Sequence, residues 1–147
     1  IAFCFIATVI CFAAAHDAHM GTWKLNEAKS KLSPTAAKKN TVVYESVGED
    51  IKVTIDGVNK DGKPIHNEWT GKFDGKDYPV TGDPTSDMRS YTVVDDHTTE
   101  FAIKKEGKIT ASGKIVVAKD GKSRIVTSHT TDASGKKVED TSAYDKQ

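Results

Sequence analysis

Cysteine is nearly absent from this sequence of 147 residues, and both copies, Cys4 and Cys11, fall close to its start. Beyond Cys11 no disulfide can form, which excludes a disulfide-stapled mini-protein and a cysteine-based zinc site there. An excess of one charge is also missing, since 21 basic residues balance 21 acidic ones and only Arg89 and Arg124 are arginines. That leaves no electrostatic footprint for nucleic acid or an anionic membrane surface. No apolar run reaches the roughly 18 residues that a membrane-spanning helix needs. Helix-favouring content is confined to Glu27–Lys39, where Pro34 limits any helix to a turn or two. Neither a G-x-S-x-G elbow nor a phosphate-binding glycine loop is present, and Ser112 falls mid-strand. No cofactor is therefore expected.

The longest apolar run, IAFCFIATVICFAAA over residues 1–15, ends abruptly at His16. It reads as a signal peptide truncated at its N-terminus, with Ala13 and Ala15 as the small residues ahead of a cut before His16. The expectation is an exported protein, periplasmic or extracellular. A cysteine-free mature chain fits a bacterial setting best. Residues 16–147 are then one domain by length.

From Gly21 onward, short stretches rich in β-branched and aromatic residues alternate with Gly- and Asp-containing turn signals. These include Asp61-Gly62, Asp74-Gly75, Glu106-Gly107, Asp120-Gly121 and Ser134-Gly135, pairs that tolerate the backbone of tight hairpins. About ten strands result, near 21–26, 41–47, 50–58, 64–74, 76–81, 89–95, 98–106, 108–118, 122–131 and 136–145. Within them apolar residues alternate with polar ones, as in Ile51/Val53/Ile55 against Lys52/Thr54/Asp56. Similar stripes are Ile65/Trp69/Phe73, Tyr91/Val93, Thr99/Phe101/Ile103, Ile109/Ala111/Ile115/Val117, Ile125/Thr127/His129 and Val138/Tyr144. A one-faced antiparallel meander must fold over or close. The expected fold is all-β, a single up-and-down barrel of about 8–10 strands.

Asn67, Gly71, Gly113, Thr127, His129 and Asp140 share the phase of the apolar stripes. Inward polar groups are costly unless hydrogen-bonded to one another, to water or to a ligand, so they point to a cavity or to a wet rim.

The run Gly21-Thr22-Trp23-Lys24-Leu25 resembles the G-x-W opening of the calycins, the group that holds lipocalins and fatty-acid-binding proteins. Phe73–Gly82 and the ending Tyr144–Gln147 are similar to small exported bacterial proteins described as lipocalin-like. The resemblance implies a barrel whose closed end is plugged by Trp23. Two departures stand out. The last strand carries only lysines where lipocalins place an arginine over the tryptophan, with Arg124 one strand earlier, and Tyr144 lacks the Arg-x-Tyr partner of fatty-acid-binding proteins.

The leading expectation is a protein that binds a small apolar or amphipathic ligand inside the barrel. Trp69, Phe73, Tyr91, Phe101 and Tyr144 would form the wall, and Asn67, Thr127, His129 and Asp140 the orienting hydrogen bonds. The alternative is a structural or self-assembling module whose barrel is filled by its own side chains. A third reading is a copper-binding or hydrolytic protein, because a terminal His16 would offer an amine and an imidazole, with His19 three residues on. Asp95-Asp96-His97 and the Asp56–Gly62 segment have the residue types of acid–base and calcium sites, but both read as hairpin turns.

Overall fold

The computed structural model describes residues 17–147; the expected signal peptide and His16 lie outside them. A 3₁₀ turn at Asp17–His19 leads into ten strands. They are β1 (Gly21–Lys31), β2 (Lys38–Val47), β3 (Asp50–Val58), β4 (Pro64–Gly71), β5 (Tyr78–Thr81), β6 (Met88–Asp95), β7 (Thr98–Lys105), β8 (Lys108–Val117), β9 (Ser123–Thr131) and β10 (Lys137–Lys146). Each pairs antiparallel with its neighbours in sequence, and β1 pairs β10 to close the barrel. Closure pairs the first and last strands, so neither β1 nor β10 is a free edge. Among the described residues no helix is long and apolar enough to cross a membrane.

The expected strands are present with boundaries moved by a few residues. The helix-favouring stretch after Glu27 is not helical: β1 runs on to Lys31, and its register against β10 shifts between Asn26 and Lys31. A bulge of this kind bends a strand and lets it wrap a barrel.

Alternation decides what is inside. Ile51, Val53 and Ile55 of β3 are buried against Val42 and Tyr44 of β2 and Trp69 of β4, as a one-sided sheet requires. Trp23 is completely buried at the closed end, its indole Nε1 donating to the His19 carbonyl at 2.8 Å. The Arg124 guanidinium lies over its ring, 4.7 Å from the centroid, and the Lys146 amine stands at 5.3 Å. The expected tryptophan plug is thus covered by an arginine after all, supplied from β9 rather than from the last strand.

The wall is thinnest at β5, which shares two residue pairs with β4 and two with β6. Side chains and loop amides fill the gap. Trp69 Nε1 donates to the Arg89 carbonyl at 2.8 Å, and the Gly75 amide to the Tyr91 carbonyl at 2.8 Å.

Candidate functional site

The barrel is not filled by its own side chains. An open-ended cavity of about 440 Å³ occupies the end where the β1–β2, β3–β4, β5–β6, β7–β8 and β9–β10 turns gather, and its boundary includes Leu32, Asn59, Asp83 and Thr110. Below it lies a pocket of about 40 Å³ bounded by Val42, Tyr44, Tyr91 and Arg124. Lys39, Arg89, Phe101, Ile103, Val126 and Tyr144 border both spaces. The interior therefore grades from a polar rim to an aromatic floor.

Of the residues expected to contact a ligand, the wall residues Phe101 and Tyr144 and the hydrogen-bonding residues Asn67 and Asp140 line the larger cavity, and Tyr91 lines the deeper pocket. Trp69 and Phe73 instead pack into the aromatic cluster beneath. Their ring centroids are 6.0 Å apart, and Tyr91 is 4.8 Å from each. Thr127 and His129 do not border either space; their strand neighbours Val126, Ser128 and Thr130 border the larger one. On β9 the inward phase is Arg124/Val126/Ser128/Thr130, one residue away from the expected stripe. Ile125 is 42% exposed accordingly, and the outward His129 imidazole sits 3.5 Å from Glu139.

His19, the described half of the expected copper pair, is completely buried, with Nε2 3.0 Å from the Thr99 hydroxyl. Among the described residues no group of three or more His, Cys, Asp or Glu is placed to hold a metal ion. Asp95 accepts the His97 amide at 2.9 Å, and Asn59 accepts those of Asp61 and Lys63 at 2.9 and 3.0 Å. Both segments are self-capped turns.

Three cationic side chains that the sequence did not single out as site residues face this interior: Lys39, Arg89 and Arg124. Burial, reinforced by the charges of Arg89 and Arg124 and opposed by Asp83, lowers the Lys39 amine to about 8. Burial raises Tyr144 to about 12, and its hydroxyl donates to the Lys39 carbonyl at 3.0 Å. Burial opposes ionisation of Asp83, yet hydrogen bonds from Ser86 and Thr85 and the Arg89 charge outweigh it and hold the carboxyl below its usual value.

No family model and no curated protein matches this sequence. Among solved structures the chain is similar to EF1p2_mFAP2b bound to DFHBI, with a TM-score of 0.50 at 14% identity over 92% of this chain and 98% of that one. A redesigned beta barrel, mFAP1, bound to DFHBI, gives a TM-score of 0.46 at 15% identity over 91% and 99% of the two chains. The first likeness is one of fold alone. It agrees with the closed ten-strand barrel described above.

Outside the barrel, His66 Nδ1 lies 2.5 Å from Asp56, and Nε2 lies 3.7 Å from Glu68. The hydrogen bond to Asp56, then the Asp56 charge, raises the imidazole above its ordinary 6.5. Its stabilising contribution is complete below that ordinary value and is lost as pH rises through the raised one. In Asp56→Asn the imidazole is expected to titrate closer to 6.5, as followed by its proton chemical shifts against pH. An unchanged midpoint would show that the pair does not form in solution.

Proposed function

We propose that this protein is an exported, lipocalin-like binding protein that holds one small amphipathic molecule inside its barrel. Export is inferred from the apolar segment 1–15. The observation that carries the binding reading is the cavity of about 440 Å³, within the usual range of ligand sites, whose lining mixes apolar side chains such as Leu32, Ile65, Phe101 and Ile103 with polar and charged ones, the mixture an amphipathic molecule requires. EF1p2_mFAP2b, of similar fold, is bound to DFHBI, so a ligand complex is compatible with this architecture. A purely structural module would have a filled barrel, and the cavity weighs against it.

The test uses N-phenylnaphthylamine, a neutral apolar fluorophore, titrated into the purified protein. Saturable enhancement at one molecule per chain is expected. Ala111 lines the cavity, so Ala111→Trp should fill it and weaken the complex at least about tenfold, or 1.4 kcal/mol. Equal fluorophore affinity in the variant would place the site elsewhere.

A further inference from the structure

Arg89 and Arg124 are each only 2% exposed, and Nε and Nη1 of both make no hydrogen bond. Neither takes part in an ion pair among the described residues. Buried charges without partners are strongly unfavourable, so each needs an account. Arg124 has one: its guanidinium lies 4.7, 5.0 and 4.8 Å from the ring centroids of Trp23, Tyr44 and Tyr144, and aromatic faces attract cations.

Arg89 has no comparable set of rings. Its guanidinium donates from Nη2 to Asn67 Oδ1 at 3.0 Å and also contacts the Tyr91 hydroxyl. The side chain borders both the large cavity and the pocket beneath, beside Lys39. Two carboxylates line the same cavity, but their oxygens are engaged by the rim. Asp83 accepts from the Thr85 amide and hydroxyl at 2.8 and 2.6 Å and from the Ser86 hydroxyl at 2.6 Å. Asp140 accepts from the Ser33 amide and, at 3.3 Å, from its hydroxyl. These acids fasten loops, and no carboxylate reaches Nε or Nη1 of Arg89.

We propose that Arg89, assisted by Lys39, anchors the negatively charged head of the barrel's ligand, a carboxylate on an otherwise apolar molecule. This rests on the interior-binding reading above and names the class of ligand. A single negative charge matches the site, because a second would add repulsion from Asp83 and Asp140. The head sits where the two spaces meet, and the apolar portion extends outward along Leu32, Ala36, Ile65 and Ala111, which border only the larger one. Charge-assisted hydrogen bonds in a water-poor interior give such an anchor its selectivity.

Decanoate and decanol, equal in chain length, separate charge from apolarity. Both are titrated calorimetrically into the wild-type protein and into Arg89→Met and Lys39→Met, alongside N-phenylnaphthylamine. Decanoate is expected to bind at least about tenfold more tightly than decanol. Arg89→Met should remove that preference, read as the ratio of decanoate to decanol affinity within each protein, and Lys39→Met should reduce it several-fold. If Arg89→Met does not fold, the Lys39→Met result stands in its place. Equal affinity for decanoate and decanol, or a preference that survives in the variants, overturns the carboxylate anchor. Fluorophore binding that persists in that case keeps the interior-binding reading, so the two failures are distinct.

Discussion

Trp23→Ala is expected to lower the free energy of unfolding by about 4 kcal/mol, measured as a lower urea midpoint at unchanged slope. The indole is wholly buried in the closed end, so truncation opens a void that the surrounding strands can collapse into only partly. It also removes a buried hydrogen bond to the His19 carbonyl and one of the three rings that face Arg124. The remaining rings, Tyr44 and Tyr144, would be left to offset that buried charge. Trp23→Phe separates these contributions. It retains a ring beneath the guanidinium but no donor for the carbonyl, and should cost about 1–3 kcal/mol. A loss below about 1 kcal/mol in the alanine variant would mean that the plug does not hold the barrel together.

Gly113→Ala should be comparably damaging, by about 3 kcal/mol, although it only adds a methyl group. Gly113 pairs with Phe101 of β7 and Ser128 of β9. A Cβ there would stand 2.0 Å from the Thr127 carbonyl oxygen and 2.8 Å from Phe101 Cζ. The ring can turn, but the carbonyl belongs to the β9 backbone, so the β8–β9 ladder itself must give way. Gly107→Ala is the matched comparison. Its φ of +80° strains an alanine, yet nothing lies within 4 Å of the added atom, and the cost should stay near 1 kcal/mol. Thermal or urea unfolding of the two variants side by side would show whether close packing or backbone conformation sets the larger penalty. Similar losses in both would remove the packing explanation.

The barrel was legible where an apolar stripe ran unbroken. In β3, Ile51, Val53 and Ile55 keep strict alternation, and every residue from Ile51 to Val58 has a partner in β4. Elsewhere bulges defeated the pattern. The register between β7 and β8 shifts after the pair Ile103 and Ala111, which turns Ile109 out of the expected stripe and leaves it 62% exposed. In β9 a lone isoleucine on the outer face drew the phase to the wrong side, because the true inward set begins with a charged residue, Arg124, and continues through Ser128 and Thr130. One cavity-lining residue outside the expected set was within reach: Arg89 has the same two-residue phase as Tyr91, and only its charge argued for solvent. Lys39 was not. It lies in the register shift between Lys38 and Thr41 of β2, where counting by twos from Val42 and Tyr44 fails.

The two pairs on each side of β5 give the otherwise continuous wall a seam. Amide protons along Tyr78–Thr81 have few ladder bonds to break, so they are expected to exchange with solvent through a sub-global opening that costs less than complete unfolding. Gly82, Asp83, Pro84 and Thr85, which follow directly, form part of the cavity rim. Detaching this one stave would widen the aperture at the cost of the edge-on contact of Tyr78 with Trp69, 5.7 Å between ring centroids, and of the burial of Val80. A local opening there is the route by which the ligand proposed above would enter without unfolding the remaining nine strands.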